Sequence, residues 1–245
     1  MKNGVRAGVS APKPPQYNEP NDFRSSFPWR VFRIMSEFVD GWQFLADFDR
    51  TITIFGSART PETDKWYIEA RKLGNILAEN KFSVVTGGGP GIMEASNRGA
   101  FEKKGGSIGI DIKLPFEQRE NAYLTKSLGF YHFFVRKVML AYSAGAYVFF
   151  PGGYGTLDEL FEMLTLLQTK KITKNIPVVL VGKDFWTPLV SWMEASLIQK
   201  YKTASPEDIH IFKVVDTAEE AFNIIKKAPP RHEFAEYVTV NKLHT

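Results

Sequence analysis

Short apolar runs alternate with longer amphipathic patterns along most of this chain. Six runs of strand length, rich in β-branched and aromatic residues, are separated by segments with an apolar residue every three or four positions. Strands that are apolar throughout and joined by helices form parallel sheets covered on both faces. The pattern predicts an α/β fold, a doubly wound, Rossmann-like, mostly parallel sheet of about six or seven strands in a single domain. The predicted strands are TITIF, FSVV, SIGID, AYVFF, PVVLV and HIFKVV.

Two terminal segments flank the predicted domain, which extends over residues 29–228. Residues 1–28 are rich in proline, glycine and polar residues and are interpreted as a flexible arm. Residues 29–48 predict an amphipathic helix whose aromatic stripe packs either on its own domain or against another subunit. Residues 229–245 begin with two prolines and are interpreted as a surface tail. The predicted stripe consists of Trp29, Phe32, Met35, Phe38 or Val39, Trp42 and Leu45.

Composition narrows the classes of function. The 31 basic and 27 acidic residues leave a net charge of only +4 without a long basic block, so nucleic acid is not an expected partner. The chain has no cysteine and only four scattered histidines, and we therefore predict no metal site. No apolar run reaches the about 18 residues that a membrane helix requires. A soluble cytoplasmic protein is expected.

The loops after the strands are the first places to look for a ligand, because open parallel sheets bind ligands beyond the carboxyl ends of their strands. TGGGPGIMEA follows FSVV, and its Gly87, Gly88 and Gly89 allow close backbone approach just before a helix start that offers N–H groups to an anion. GSART follows TITIF and makes Ser57 a weaker candidate. The glycine loop lacks GxGxxG and the chain lacks GxxxxGK[ST], so dehydrogenase and nucleoside-triphosphatase functions lose their usual support.

A second glycine loop, PGGYGTLDE, follows AYVFF. Thr156 and Glu159 have the spacing of a capping box, in which two side chains satisfy free N–H groups at a helix start. Such a cap does not explain Gly152, Gly153 and Gly155. Two glycine loops at the same edge of one sheet predict a phosphate-bearing ligand between them.

These motifs resemble those of a known family. PGGYGTLDE fits the pattern PGGxGTxxE, FVRKVM contains the Arg136 and Lys137 pair that accompanies it, and TGGGPGIME is similar to the family's first glycine loop. From about Thr51 to about Ile225 the chain resembles the Lonely Guy group of phosphoribohydrolases, long mislabelled possible lysine decarboxylases. Members of this group hydrolyse the N-glycosidic bond of nucleoside 5′-monophosphates. The arm, the first helix and the tail lie outside the core motifs.

The resemblance implies a role for each candidate residue. Arg136 and Glu159 carry catalysis, and Ser57, Lys137, Thr156 and the loop glycines bind the substrate. Cleavage of a ribosyl bond creates positive charge on the sugar, which a carboxylate stabilises while it orients or deprotonates water. We expect the charge of Arg136 to keep Glu159 ionised. The binding glycines are Gly87, Gly88, Gly89, Gly152, Gly153 and Gly155.

Several residues keep a second interpretation. Glu162 shares a helical face with Glu159 and is a competing carboxylate. Without the motif, Arg136 and Lys137 would form a solvated basic face of an amphipathic helix. The segment LPFEQREN, residues 114–121, either closes over the base or is a plain surface loop. Its candidate base-binding residues are Glu117, Gln118, Glu120 and Asn121.

Three functional hypotheses follow. The first is a hydrolase without metal or cofactor that converts AMP, or its N6-prenylated relative, to free base and ribose 5-phosphate. The second is a non-catalytic nucleotide-binding or carrier protein with the same sheet. The third is a pyridoxal-dependent lysine decarboxylase, whose Schiff-base lysine has only Lys137 as a candidate. The resemblance and the aromatic helix also imply a homodimer or a higher even homo-oligomer.

Overall fold

A computed structural model gives the structure of residues 26–113, 120–172 and 176–228, so most of the predicted arm and the predicted tail lie outside the described residues. The strands are β1 (Thr51–Phe55), β2 (Ser83–Thr86), β3 (Ser107–Ile112), β4 (Lys126–Phe130), β5 (Ala146–Phe149), β6 (Val178–Val181) and β7 (Phe212–Val215). The α-helices are α1 (Phe27–Leu45), α2 (Lys65–Glu79), α3 (Ile92–Glu102), α4 (Phe133–Tyr142), α5 (Tyr154–Gln168), α6 (Lys183–Trp192) and α7 (Ala218–Ile225). A π-helical segment (Met193–Lys200) extends α6, and a short 3-10 helix (Pro206–His210) precedes β7.

The predicted doubly wound sheet is confirmed. Seven parallel strands lie in the order β4-β3-β2-β1-β5-β6-β7 across the described ranges. The chain leaves β1 towards β4 on one side and then crosses to β5, which pairs with the other side of β1. Such a reversal of strand order opens a crevice at the carboxyl ends of the central strands. The strand β4 (KSLGF) was not among the predicted runs, because a lysine and a glycine interrupt its apolar pattern.

Helices cover both faces of the sheet and bury two apolar layers. On one face, Leu45 of α1, Met139 of α4 and Met163 of α5 are fully buried against the strands. On the other face, Leu73 of α2 and Ile92 of α3 do the same, together with residues of α7. No helix of the described segments is both long enough and apolar enough to cross a membrane.

Helix α1 packs on the domain by only part of the predicted stripe. Phe38, Gly41 and Leu45 contact the core, and a side chain at Gly41 would overlap Met139 of α4. The absence of a side chain at Gly41 allows this close approach of α1 to α4. The members of the predicted stripe that stay exposed are Trp29, Phe32, Met35, Val39 and Trp42.

Candidate active site

A cleft of about 690 Å³ opens where the strand order reverses, at the carboxyl ends of β1, β2 and β5. It brings together residues of all three strand-end loops and of helices α4 and α5. Three predicted site residues, Gly88, Gly89 and Gly152, are absent from its lining among the described residues. The predicted residues that do line it are Ser57, Gly87, Arg136, Lys137, Gly153, Gly155, Thr156 and Glu159.

Main-chain hydrogen bonds join the three strand-end loops. The Ser57 N–H donates to the Pro151 carbonyl at 3.0 Å, and the Ile92 N–H donates to the Ser57 carbonyl at 3.0 Å. Gly91 has a φ of +68°, and a side chain there would overlap the Ser57 carbonyl. Only glycine therefore suits this position, where the first glycine loop crosses the loop that follows β1.

The first glycine loop is held from behind by a buried asparagine. Asn121 donates from Nδ2 to the carbonyls of Gly88 and Gly89, both at 3.1 Å, and to Asn97 Oδ1 at 3.0 Å. The Gly88 N–H is itself taken by Thr86 Oγ1 at 3.0 Å. Asn121 was predicted as one of four candidate contacts to the base, and the structure corrects this, because its buried amide faces the loop backbone. Glu117 and Gln118 lie outside the described residues.

The second glycine loop leaves its helix start open. Helix α5 begins at Tyr154 with Gly153 in the N-cap position, where no side chain caps the helix. Thr156 is therefore the third residue of the helix, and the capping-box interpretation of Thr156 and Glu159 is wrong. The first N–H groups of a helix have no partner within it, and Gly153, Gly155 and Thr156 present this end to the cleft. A side chain at Gly152 would overlap the Thr156 hydroxyl, which explains that glycine.

Arg136 reaches from α4 to the first glycine loop. Its Nε donates to the Ile110 carbonyl at 2.9 Å, and its Nη2 lies where a side chain on Gly87 would be. Burial lowers the pKa of its guanidinium, and the nearby Glu159 and Asp111 oppose that shift. Its terminal nitrogens have no hydrogen-bond partner within the described residues and face the cleft, so the guanidinium is not part of a solvated basic face.

Glu159 lies one turn into α5 and is only 7% exposed. Burial raises its pKa to about 7, and the charge of Glu162 adds to this. Lys137 and Arg136 lower the pKa, but less. Arg136 lowers the Glu159 pKa as expected, but desolvation outweighs the two cations, so their charge does not suffice to keep Glu159 ionised throughout the neutral pH range. The result is a carboxyl group that exchanges its proton near neutral pH.

Lys137 belongs to an ion-pair cluster on the rim of the cleft. Its Nζ lies 2.8 Å from Asp158 Oδ2 and 3.1 Å from Glu162 Oε2. Burial acts to lower the Lys137 pKa, yet hydrogen bonds to the two carboxylates raise it above the ordinary value. A Schiff base forms from a neutral amine, so this environment disfavours a pyridoxal-dependent role. Glu162 is engaged by Lys137 and, unlike Glu159, does not line the cleft.

The cleft also contains side chains that sequence reasoning missed. The sequence contains a signal for two of them: Phe133 precedes Arg136 by about one helical turn, and Tyr154 lies inside the second glycine loop. Asp111, which is buried behind the first glycine loop and does not line the cleft, had no such signal, because no motif surrounds it in the strand SIGIDI. The missed lining residues are Phe55, Gly56, Ala58, Arg59, Met93, Phe133, Tyr154 and Asp158.

The fold and the cleft together define the structural class of this protein. This is a doubly wound α/β protein whose switch-point cleft combines glycine-rich loops, an arginine and a buried carboxyl group. Residues 93–225 match the family described as "Possible lysine decarboxylase", and the chain belongs to this family. The resemblance inferred from the motifs is thereby confirmed.

Curated relatives of the chain are named as phosphoribohydrolases. Probable cytokinin riboside 5′-monophosphate phosphoribohydrolase LOGL6 of Oryza sativa subsp. japonica is 27% identical over 200 residues, which are 80% of this chain and 78% of the relative. Cytokinin riboside 5′-monophosphate phosphoribohydrolase LOG1 of Arabidopsis thaliana is 29% identical over 168 residues, 67% of this chain and 76% of the relative. The enzyme of the same name from Rhodococcoides fascians is 27% identical over 158 residues, 63% of this chain and 79% of the relative.

Solved structures share the fold. The X-ray structure of the structural-genomics target TM1055 is similar with a TM-score of 0.55 and 26% identity, covering 73% of this chain and 99% of that one. The molybdenum cofactor carrier protein MCP from Chlamydomonas reinhardtii is similar with a TM-score of 0.54 and 21% identity, covering 73% and 97%. The second likeness concerns the fold alone, and it shows that this architecture also occurs in a carrier protein.

Proposed function

We propose that this protein hydrolyses the N-glycosidic bond of a nucleoside 5′-monophosphate, AMP or N6-prenylated AMP, to the free base and ribose 5-phosphate. The family and the names of its curated relatives support a phosphoribohydrolase. The choice of AMP or N6-prenylated AMP follows from the resemblance to the Lonely Guy group and from the names of these relatives, and the groups of the cleft that can bind phosphate fit a 5′-monophosphate. The same proposal includes a cytoplasmic location, which rests on the absence of cysteine.

One observation carries the proposal. A single cleft holds Glu159 with its raised pKa, the open start of α5 and the unpaired end of the Arg136 guanidinium. Uncapped helix N–H groups bind phosphate, and a guanidinium binds phosphate or ribose hydroxyls through paired hydrogen bonds. A phosphate held at the helix start would leave the ribose beside Glu159, one turn further along α5.

The proposed reaction uses Glu159 in its ionised form. As the bond between the anomeric carbon and the base nitrogen breaks, its electron pair leaves with the base and positive charge develops on the ribose. The Glu159 carboxylate stabilises that charge and accepts a proton from water, whose oxygen forms the new bond to the anomeric carbon. A proton is delivered to the departing base, so the net reaction adds one water. With a pKa of about 7, Glu159 is suited to accept and release this proton at neutral pH.

The test is a substrate panel scored by released base. AMP, GMP, CMP and isopentenyl-AMP are incubated with the pure full-length protein, and base and ribose 5-phosphate are quantified by liquid chromatography. Glu159→Gln is expected to lower kcat by about 10²-fold to 10⁴-fold, the range of a lost general base, while AMP still binds. Glu219→Gln makes the same chemical change at an exposed position of α7 and is the matched control. Its activity is expected to equal that of the wild type.

Each outcome of this panel bears on the proposal. Glu159→Gln retaining full activity would remove the assigned role of that residue. Release of no base from any of the four nucleotides, although AMP binds, would favour the carrier hypothesis instead. Bound pyridoxal phosphate seen by visible absorbance would revive the decarboxylase hypothesis.

We further propose that the protein is at least a homodimer. The exposed side of α1 carries Phe32, Met35 and Val39, and Val39 is 62% exposed. Phe133 and Phe134 at the start of α4, the helix that packs against α1, are exposed as well. Such apolar patches mark contact surfaces. Light scattering at micromolar concentration is expected to give at least twice the chain mass, and Phe32→Glu to reduce it; a monomeric mass for the wild-type chain would contradict the proposal.

A further inference from the structure

Asp111 is a second buried acid beside the cleft, and the proposed reaction does not use it. It lies at the carboxyl end of β3 and is only 8% exposed. Its Oδ1 lies where a side chain on Gly88 would be, so the carboxyl group is packed against the first glycine loop. Its Oδ2 is buried and has no hydrogen-bond partner in the part of the chain that the structure describes.

The groups that face Asp111 come from three directions. Glu120 approaches from the segment before β4, Arg136 from α4 and Lys113 from the end of its own strand. Arg136 interacts electrostatically with Asp111 as well as with Glu159. One guanidinium thus interacts electrostatically with two buried carboxyl groups. Within the described residues, its terminal nitrogens form a hydrogen bond with neither of them.

A phosphate in the cleft adds negative charge to this arrangement. The phosphate of a nucleoside monophosphate is a dianion above pH 7, and in a site largely removed from water two like charges repel strongly. Arg136 cannot neutralise two carboxylates and a phosphate at once. Burial and then the charge of Glu120 raise the Asp111 pKa to about 7, a value that Glu159 shares. Because the proposed reaction needs Glu159 ionised, Asp111 is the group that can be neutralised without loss of that reaction.

We propose that Asp111 takes up a proton when a phosphate-bearing ligand enters the cleft, so that ligand binding and the protonation of this residue are coupled. The inference rests on the proposed function, which supplies the phosphate. One proton passes from the solvent buffer to a carboxylate oxygen of Asp111, which becomes a neutral acid. Once Asp111 is neutral, it no longer draws on the charge of Arg136, whose terminal nitrogens remain available to the ligand.

The test measures protons bound per ligand. Glu159→Gln serves as the background, because it removes turnover and the titration of Glu159. Calorimetric binding of AMP and of ribose 5-phosphate at pH 8, in buffers of different ionisation enthalpy, is expected to show uptake of about 0.5 to 1 proton per ligand. Adding Asp111→Asn is expected to reduce the uptake to near zero and to tighten binding at this pH. Adding Glu219→Gln, the matched surface control, is expected to leave the uptake unchanged.

A second measurement needs no change at Asp111. Infrared difference spectra of the Glu159→Gln protein are expected to gain a carboxylic-acid carbonyl band when ribose 5-phosphate binds. Ligand binding without proton uptake, or with equal uptake after Asp111→Asn, would overturn this inference and leave the proposed hydrolysis intact. Uptake that depends on Asp111 with ribose 5-phosphate, but no base released from AMP by the wild-type protein, would overturn the hydrolysis alone. Failure of both ligands to bind would overturn both.

Discussion

The two glycine loops look alike in sequence and differ in what surrounds them. The first loop is closed from behind, because the Gly88 N–H donates to Thr86 and the Gly88 carbonyl accepts from Asn121. The second loop opens on the cleft: apart from adjacent residues and the backbone of α5, no atom of the described residues would lie within 4 Å of a Cβ added at Gly153 or Gly155. Crowding requires glycine at Gly88 of the first loop and at Gly152 of the second, whereas Gly153 and Gly155 keep the second loop accessible. Variants of the two loops are therefore expected to separate stability from binding.

The largest expected effect is that of Gly88→Ala in the closed loop. Gly88 has a φ of +71°, and the new methyl group would overlap the Asp111 carboxyl group. Both the left-handed backbone and the overlap are unfavourable, so we expect a loss of about 3 kcal/mol or more in the free energy of unfolding. Urea denaturation measures this loss. Stability equal to that of the wild type would show that the loop is not closed from behind.

A smaller loss is expected for Asn121→Ala. The change removes four side-chain hydrogen bonds, three donated by Nδ2 and one accepted by Oδ1 from the Tyr123 N–H, and leaves buried carbonyl groups of the loop poorly satisfied. We expect a destabilisation of about 2 kcal/mol and an unchanged order of preference among nucleotides. A variant that keeps its stability but changes its preference between AMP and GMP would instead restore the assignment of Asn121 to the base.

Glu159→Gln, at the helix that follows the second glycine loop, is expected to raise the free energy of unfolding rather than lower it. Burial raises the Glu159 pKa from 4.5 to about 7, so between these values the folded state holds a proton that the unfolded chain has lost. This contribution to stability is complete below pH 4.5 and is lost as the pH rises through 7. The inactive variant is expected to gain about 2 kcal/mol over wild type at pH 8 and nothing at pH 4. An equal difference in urea denaturation at both pH values would contradict the raised pKa.

The smallest expected change in stability is that of Gly155→Ala, the counterpart of Gly88→Ala in the open loop. Position 155 is helical and uncrowded, so alanine is expected to add about 0.5 kcal/mol to the free energy of unfolding. The methyl group adjoins the N–H groups proposed to hold the phosphate, and KM for AMP is expected to rise severalfold with kcat little changed. An unchanged KM would show that the ligand does not approach this part of α5.

The sequence predicts the parts of this molecule that depend on short-range pattern. Alternating apolar runs predict the sheet, and the position of glycines after strands predicts the edge where the cleft lies. Side chains whose role depends on distant partners escape such reasoning. Asn121 is polar and in a loop, so it resembles a ligand contact, yet three backbone and side-chain acceptors from other elements surround it.

The burial of individual side chains is the other property that the sequence pattern does not predict. The charge of Arg136 is visible in the sequence, whereas the desolvation that raises the Glu159 pKa depends on packing of the whole cleft wall. Similarly, the pattern on α1 leaves open whether its aromatic stripe packs on the domain or against another subunit. The structure buries Leu45 of the stripe and leaves most of its other members exposed, because the helix contacts the core around Gly41 and Met139.

The cross-connections at Ser57 are made by its N–H and carbonyl rather than by its side chain. The Ser57 hydroxyl accepts a hydrogen bond from the Arg59 N–H within the same segment, at 3.0 Å, so the cross-connections of the cleft wall do not depend on the side chains at positions 58 and 59. Substitutions there can reshape what the protein accepts without loosening the frame that joins the two glycine loops, which makes this short stretch a natural place for selectivity to diverge, or to be redesigned, at little expense in folding.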